Sequence, residues 1–223
     1  MIIPRTETAS AKKLDILTMP SPSPQLTLVV AATLANGIGT KGSLPWRLSR
    51  EMAYFAKVTR EGGPRSSGPN AVIMGRKTWE SIKPQYRPLK GRLNVVISNS
   101  IASVGDLAPV SESEHPTLLA TSFENSVAGV EVANAFVIGG ASIYTQALEH
   151  PATTRILLTR ILEPAYEECD VFFPEVRGSS QWAQAEHADL EKWVGFEVPK
   201  GVQEEKGTKY EFQMWIRKQD SSA

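Results

Sequence analysis

The sequence has few of the residues that form cross-links or metal centres. Its single cysteine, Cys169, excludes a disulfide within the chain and indicates a reducing compartment. Its three histidines, His115, His150 and His187, are widely separated, so we expect no zinc site and no other metal. No apolar run reaches the ~20 residues of a transmembrane helix, and no signal peptide is evident, so we expect a cytoplasmic protein without a membrane partner.

The chain also lacks a net charge. It has 24 basic and 24 acidic residues, and its pI is about 6.9. This balance does not give the electrostatic footprint of a nucleic-acid-binding protein, so we expect no nucleic acid as a partner. With 223 residues, the chain is long enough for one domain with a substantial core and short for two.

The N-terminal region differs from the rest in composition. Residues 1–24 end in Met19-Pro20-Ser21-Pro22-Ser23-Pro24, where three prolines within five residues predict an extended linker. We therefore divide the chain into an N-terminal extension (1–24), one domain (25–218) and a short polar tail (219–223). Mitochondrial import through the extension is an alternative, but the acidic residues in it do not favour this.

The chain is organised around a glycine-rich segment between an apolar strand and a helix. Residues 26–32 are almost continuously apolar, as in a strand that is buried on both faces. Three glycines within residues 37–42 predict a mobile loop that can approach a ligand closely. Leu44-Pro45-Trp46 then stiffens the chain, and a helix is predicted over residues 49–58.

Glu51 lies on the predicted apolar face of this helix, among Leu48, Met52 and Phe55. Two interpretations of this carboxylate are open. Ser49 could cap the helix and Glu51 could lie in its first turn, where the macrodipole favours acids. The helix taken alone favours that interpretation. The alternative is that the carboxylate faces a cleft and takes part in ligand binding.

Two further turns join a buried strand to a helix through glycine. After strand 71–74, Gly75-Arg76-Lys77-Thr78 combines free N–H groups with basic side chains at a helix start. This indicates either a phosphate site or ordinary surface basic residues. After strand 135–138, Gly139-Gly140 either lets backbone N–H groups approach a pyrophosphate or allows tight helix–strand packing. The second turn is not the G-x-G-x-x-G fingerprint.

The remaining pattern indicates an α/β domain with a mixed sheet, because strands and helices alternate early and antiparallel strands come late. Further strands are predicted at 93–98, 118–119 and 155–161, and a short helix at 122–127. A late antiparallel strand is predicted from the alternation of Tyr210, Phe212, Met214 and Ile216. Residues 203–207 are expected to be the connection before this strand.

These motifs resemble those of eukaryotic, fungal-type dihydrofolate reductases. The resemblance covers residues 26–217 and includes Asn-Gly-Ile-Gly at 36–39, Leu-Pro-Trp at 44–46, Glu-Met-x-Tyr-Phe at 51–55 and Asp-x-Phe-Phe-Pro at 170–174. It implies the dihydrofolate reductase-like fold: a mixed, mainly parallel central sheet flanked by helices, with C-terminal antiparallel strands. It also implies NADPH-dependent reduction of dihydrofolate to tetrahydrofolate for one-carbon metabolism, by a monomer that binds antifolate inhibitors.

The resemblance further implies roles for individual residues. Glu51 would hold the pterin's N3 and 2-amino group and assist protonation through water, with Thr159 as its partner and Trp46 ordering that water. Arg92 would bind the glutamate α-carboxylate through its planar fork, whereas a solvated arginine beside a turn is the alternative. The implied substrate-binding residues are Val29, Val30, Glu51, Met52, Phe55, Ile82, Leu89, Arg92, Ile138, Tyr144 and Thr159.

The resemblance implies a larger set of residues for the cofactor. These are Ala31, Ile38, Gly42, Ser43, Leu44, Gly75, Arg76, Lys77, Thr78, Ser98, Asn99, Ser100, Ile138, Gly139, Gly140, Ala141, Ser142, Ile143 and Tyr144. Asn99 and Thr121 stand where many relatives have basic residues, so the 2′-phosphate site would depend mainly on Arg76, Ser98 and Ser100. Ser43 replaces an acid that often precedes Leu-Pro-Trp.

Two other functions are weighed against this one. A riboflavin-pathway pyrimidine reductase would share the fold, but the Leu-Pro-Trp and Glu51 pattern belongs to the folate branch. A non-catalytic NADPH- or RNA-binding protein on the same scaffold is disfavoured by the neutral charge and by the presence of Glu51.

Overall fold

The structure is a computed structural model that describes residues 24–64, 68–100, 117–130, 132 and 134–218. The predicted extension, except for Pro24, and the polar tail lie outside the described residues. The described strands are β1 (Gln25–Thr33), β2 (Gly37–Gly39), β3 (Ala71–Gly75), β4 (Leu93–Ile97), β5 (Thr117–Ala120), β6 (Asn134–Val137), β7 (Thr153–Glu163), β8 (Val171–Phe172), β9 (Trp182–Gln184), β10 (Gln203–Glu205) and β11 (Thr208–Arg217). The described helices are α1 (Ser49–Glu61), α2 (Arg76–Ser81), α3 (Phe123–Ala128), α4 (Ala141–Glu149) and α5 (His187–Val194), with a 3-10 turn at Pro84–Tyr86.

Within the described residues, nine strands form one sheet, and its order confirms the predicted mixed architecture. The order is β10-β11-β7-β1-β6-β3-β4-β5, and β9 also pairs with β11. Strand β1 is parallel to β6 and β7, and β4 is parallel to β3 and β5. Strand β11 is antiparallel to β7, β9 and β10. The sheet is therefore mainly parallel, with antiparallel strands at its C-terminal edge.

Helices cover both faces of the sheet, which explains why β1 is apolar along its length. Leu26, Leu28 and Val30 pack in a core beneath α3 and α4. Val29, on the opposite face, packs in a second core beneath α1, α2 and α5. A strand with helices on both sides has no solvated face, so the alternation of polar and apolar residues disappears.

Helix α1 differs from its prediction in length and in the residues that it buries. It ends at Glu61 rather than near residue 58. The residues buried by α1 are Glu51, Tyr54, Val58 and Thr59, whereas Met52 is 46% exposed. The prediction that Met52 belongs to the packed apolar face is therefore wrong, because the buried stripe follows Leu48, Glu51, Tyr54 and Val58 around the helix.

The C-terminal edge contains elements that the sequence pattern did not indicate. Residues 203–207 are not a simple connection, because Gln203–Glu205 is strand β10 and pairs with β11. Lys206 and Gly207 form the turn between them with φ angles of 51° and 76°, as a tight hairpin requires. In β11 the predicted alternation holds for Tyr210, Phe212 and Met214, but Ile216 is 38% exposed. Strand β9 and helix α5 were not predicted.

Candidate active site

The buried carboxylate of Glu51 lies where α1 crosses the carboxyl end of the central strands. Glu51 is 7% exposed, and its Oε1 accepts a hydrogen bond of 3.1 Å from the Thr159 hydroxyl. Thr159 lies on β7, directly opposite Ala31 of β1. The register of the two parallel strands therefore places this hydroxyl beneath the first turn of the helix, as the resemblance implies.

Burial dominates the electrostatics of this carboxyl group. It raises the pKa of Glu51 from 4.5 to about 7, while the Thr159 hydroxyl lowers it and the negative charge of Glu205 raises it. A carboxyl group with this pKa exchanges its proton near neutral pH. Such a group is suited to acid–base chemistry, provided that a ligand reaches it.

The prediction that Ser49 caps α1 is wrong, whereas Glu51 does lie in the first turn of the helix. Leu48 occupies the N-cap position of α1 and offers no side-chain cap. The backbone N–H groups of Ser49 and Arg50 instead donate to the Glu205 carboxylate, at 2.6 Å and 3.0 Å. Because Glu205 bonds these N–H groups, the side chain of Glu51 is not needed to cap the helix. It accepts a hydrogen bond from the Thr159 hydroxyl instead.

Two buried polar atoms close to this part of the fold have no protein partner among the described residues. The indole Nε1 of Trp46 and the hydroxyl of Tyr54 are both buried without a hydrogen bond. The Trp46 ring packs edge-on against Tyr166 at 5.3 Å. Buried donors of this kind are normally satisfied by water or ligand. The ordering of water by Trp46 stays a prediction.

Much of the predicted substrate pocket falls in the second core. The residues of this set that lie there are Val29, Phe55, Ile82, Leu89 and Ile138, together with Trp46 of the catalytic set and Ala31 of the cofactor set. Val30 and Tyr144 belong to the core on the opposite face of the sheet. The Tyr144 hydroxyl donates to the Val29 carbonyl at 2.7 Å, so it contacts the middle of β1 and is engaged within the protein. Met52 is exposed on α1 and does not belong to either core.

Arg92 is not the solvated arginine that was one alternative. It is 6% exposed, its Nη1 donates to the Thr59 hydroxyl at 2.7 Å, and its Nε donates to the Lys90 carbonyl at 3.1 Å. Burial, together with the charge of Arg60, lowers the pKa of Arg92 to about 10. Within the described residues no acidic side chain pairs with it. A buried guanidinium without a carboxylate is suited to an anionic ligand.

Asn94 fixes the turn that carries Arg92 and Leu89. Its side-chain oxygen accepts the Leu89 N–H at 2.9 Å, and its amide nitrogen donates to the carbonyls of Leu89 and Arg92, both at 3.0 Å. Asn94 is fully buried. These two predicted substrate residues are thus held by one asparagine, which sequence reasoning did not single out because its partners depend on the tertiary turn.

The two strand–glycine–helix turns lie against each other. The Gly75 N–H donates to the Gly139 carbonyl at 2.8 Å. A Cβ on Gly139 would lie 3.2 Å from the Thr78 hydroxyl, and its φ is +123°. Tight packing therefore accounts for Gly139, in agreement with the packing alternative for the Gly139-Gly140 turn. The same packing brings the starts of α2 and α4 together, with Thr78 beside Gly140, and a phosphate role stays a prediction.

The polar residues predicted for the cofactor phosphate are only partly free. Arg76 donates to Glu80 at 2.7 Å in an exposed pair along α2. Ser98 is 6% exposed, and its hydroxyl lies 3.3 Å from that of Ser100. Exposed helix pairs contribute only about 0.3–0.5 kcal/mol, so the Arg76–Glu80 pair would not prevent binding of a doubly charged phosphate.

The glycine-rich segment is fastened to the chain around residue 170. Gly37 pairs with Phe172 across strands β2 and β8. A Cβ on Gly37 would lie 2.6 Å from the Cys169 sulfur, so glycine is required there by the neighbouring chain. The Lys41 N–H donates to Asp170 Oδ2 at 3.0 Å. The glycine-rich segment contains the predicted cofactor residues Ile38, Gly42, Ser43 and Leu44. It is therefore held by contacts of Gly37 and Lys41 with the chain around residue 170.

No metal cluster and no membrane-spanning helix occur in the part of the chain that the structure describes. No group of three or more His, Cys, Asp or Glu side chains is placed to hold an ion there. None of the described helices has both the length and the apolar character needed to cross a membrane.

A buried carboxylate and paired glycine turns at the carboxyl ends of a mainly parallel sheet are typical of a nucleotide-dependent α/β enzyme. The sequence profile described as dihydrofolate reductase matches residues 25–206. The chain belongs to the dihydrofolate reductase family.

Several fungal proteins named dihydrofolate reductase are similar over nearly their whole length. The protein of Pneumocystis carinii is 45% identical over 200 residues, which is 86% of this chain and 96% of the relative. That of Cryptococcus neoformans is 40% identical over 91% of this chain and 99% of the relative. That of Candida albicans is 37% identical over 87% and 98%. The similarity supports the eukaryotic, fungal-type assignment.

Replacing Glu51 with glutamine should stabilise the ligand-free protein at neutral and alkaline pH. Glutamine keeps an acceptor for the Thr159 hydroxyl but has no charge to bury. Because burial raises the pKa of Glu51 from 4.5 to about 7, the native protein loses stability relative to the variant as pH rises through this range. The gain in unfolding free energy should vanish below pH 4.5 and reach at most about 3 kcal/mol above neutrality.

Urea denaturation of both proteins across this pH range measures the difference. A gain that does not change with pH would show that the carboxyl group keeps an ordinary pKa in the folded protein.

Proposed function

We propose that this chain catalyses the NADPH-dependent reduction of 7,8-dihydrofolate to 5,6,7,8-tetrahydrofolate, with hydride delivered to C6 and a proton to N5. The observation that carries the proposal is the buried carboxylate of Glu51, whose one hydrogen-bond donor within the described residues is the Thr159 hydroxyl. NADPH would supply the hydride. The membership of the family and the similarity to the fungal enzymes support the same reaction.

Glu51 would orient the pterin ring. The pterin offers two donors on one edge, N3–H and the 2-amino group, and an ionised carboxylate offers two acceptor oxygens. The hydroxyl of Thr159 holds Oε1 in place from the sheet side. Binding through this edge would direct the ring into the apolar second core, where Phe55, Ile82 and Leu89 lie.

Proton delivery would use the same region. Because its pKa lies at about 7, Glu51 can take up and release a proton near neutral pH. The Trp46 indole N–H, which no described protein group accepts, could order a water between the carboxyl group and N5. The reaction would then slow as pH rises, since fewer complexes hold the required proton.

The tail of dihydrofolate would lie along the turn that Asn94 holds. Arg92 has no acidic partner among the described residues, and its hydrogen bonds there go to two neutral groups, the Lys90 carbonyl and the Thr59 hydroxyl. Its remaining guanidinium edge would bind the α-carboxylate of the substrate's glutamate. Desolvation of the guanidinium strengthens such a pair, because water competes less for both charges.

The cofactor would lie along the paired glycine turns. The starts of α2 and α4 present backbone N–H groups, and the Thr78 hydroxyl lies beside both Gly139 and Gly140, which fits a diphosphate. Arg76, Ser98 and Ser100 would favour a 2′-phosphate and hence NADPH over NADH. We place the enzyme in the cytoplasm as a monomer that serves one-carbon metabolism and binds antifolates at the pterin site.

Glu51→Gln should lower the rate of dihydrofolate reduction by about 10²–10⁴-fold at neutral pH. The variant loses the charge and one acceptor oxygen, and with them both pterin orientation and help with protonation. NADPH affinity should stay nearly native. The deficit should shrink at low pH, where solvent supplies protonated substrate. Stopped-flow absorbance of NADPH measures the rate, and fluorescence titration measures NADPH affinity.

The matched control is Glu61→Gln, at the exposed end of the same helix beside Arg60. It makes the same chemical change and should keep native turnover. Native turnover in Glu51→Gln at neutral pH would contradict the proposed function of this carboxylate.

Arg92→Lys should weaken the binding of dihydrofolate and leave a dihydropterin without the glutamate tail unaffected. Lysine keeps the positive charge but loses the planar, two-pronged geometry. The loss should be about tenfold or more in KM, corresponding to one charge-assisted hydrogen bond. Equal losses for the full and truncated substrates would remove Arg92 from the carboxylate site.

A further inference from the structure

We infer that Glu205 is a positioning residue for Glu51: it holds the first turn of helix α1 in place and sets a second carboxylate within electrostatic reach of the first. The inference rests on the proposed function, because it concerns the state of Glu51 during reduction. Glu205 lies on β10, more than 150 residues along the chain from the helix start that it contacts.

The contact replaces the missing N-cap of α1. Each carboxylate oxygen of Glu205 accepts one backbone N–H, Oε1 from Ser49 at 2.6 Å and Oε2 from Arg50 at 3.0 Å. The Glu205 side chain is only 11% exposed. A carboxylate that bonds two free N–H groups of a first turn also interacts favourably with the helix dipole. Glu51 is the next residue along that turn.

Arg50 strengthens the link between the helix and the hairpin. Its Nε lies 3.7 Å from Glu205 Oε2, and its Nη2 donates to the Glu204 carbonyl. The guanidinium of Arg50 is therefore directed at β10 and not at Glu51. Two of the three residues of β10, Glu204 and Glu205, thus contact the N-terminal turn of α1.

The hairpin and the Thr159 hydroxyl belong to one continuous part of the sheet. Strand β10 pairs with β11, and Phe212 of β11 lies opposite Thr159 of β7. Thr159 in turn donates to Glu51. Glu51 is therefore held from two directions by the same three strands: through the helix start by Glu205, and through its own oxygen by Thr159.

Glu205 is also the charged group that acts on Glu51. The hydroxyl of Thr159 faces Glu51 from β7. Burial, with a smaller contribution from the charge of Glu51, raises the pKa values of Tyr54 on α1, Tyr144 on α4 and Tyr210 on β11. These phenols are neutral. Burial raises the pKa of Glu205 itself, but the Arg50 and Ser49 N–H groups and the Arg50 charge outweigh this, so Glu205 is ionised and favours a protonated Glu51.

The test compares Glu205→Gln with Glu204→Gln in the full-length protein. Glu204 lies beside Glu205 on β10, and its side chain is exposed, so the control removes the same charge without touching the helix cap. The pH midpoint of single-turnover reduction should fall by about half a unit in Glu205→Gln and stay native in Glu204→Gln. The midpoint falls whether Glu51 or the pterin N5 holds the proton. The negative charge of Glu205 stabilises the protonated form of either group, and the variant lacks this charge.

A second readout does not depend on catalysis. In ligand-free protein labelled with ¹³C at the glutamate side chains, the Glu51 titration should move downward in Glu205→Gln by the same amount. Glu205→Asp keeps the charge and should restore most of the native midpoint. NADPH affinity should remain within about twofold of native in all three variants, which establishes that they are folded.

Equal pH midpoints in Glu205→Gln and Glu204→Gln would overturn the inference. This result is distinguishable from failure of the proposed function. If the proposed function fails, the native protein does not reduce dihydrofolate, and if the role of Glu51 in it fails, Glu51→Gln shows native turnover. If only the role of Glu205 is wrong, Glu51→Gln is deficient and Glu205→Gln titrates like the native protein.

Discussion

The arrangement of the candidate site depends on one buried carboxylate, that of Glu51, whose hydrogen-bond donor is a neutral hydroxyl. Glu51 is 7% exposed, and within the described residues its carboxylate accepts a side-chain hydrogen bond only from the Thr159 hydroxyl. Burying an ionised carboxylate this way costs free energy, and the raised pKa of Glu51 expresses this cost. A ligand with two adjacent N–H donors would offset the cost on binding. Lower stability of the ligand-free protein and the proposed affinity for a pterin would thus be two consequences of one arrangement.

The register of the sheet fixes the position of the Thr159 hydroxyl. Because β1 and β7 are parallel and Ala31 lies opposite Thr159, the hydroxyl is set by backbone pairing and not by a flexible segment. On the other side, the β10–β11 hairpin caps α1 through Glu205. A site built on rigid elements in this way holds its geometry without a ligand, which lowers the entropic cost of binding.

The sequence predicted those features that depend on local pattern. The continuous apolar run of β1, the strand–glycine–helix turns and the inward position of Glu51 all follow from residue spacing. The burial of Arg92 was not predictable, because it depends on Thr59 from α1 and on the turn held by Asn94. The cap of α1 was missed because Glu205 is distant in sequence and β10 is short and polar. Its one signal was Lys206-Gly207 before an alternating strand, a typical hairpin turn.

The most direct test of the role of Glu51 is the number of protons released when folate, the unreactive oxidised pterin, binds without NADPH. Calorimetry at about pH 6 in buffers of different ionisation enthalpy measures this number. With a pKa of about 7, Glu51 is mostly protonated in the free protein and must ionise to accept N3–H and the 2-amino group. The native protein should therefore release most of one proton, and Glu51→Gln should release none. Binding of folate to the native protein without proton release would contradict the assignment of Glu51 as the pterin-binding carboxylate.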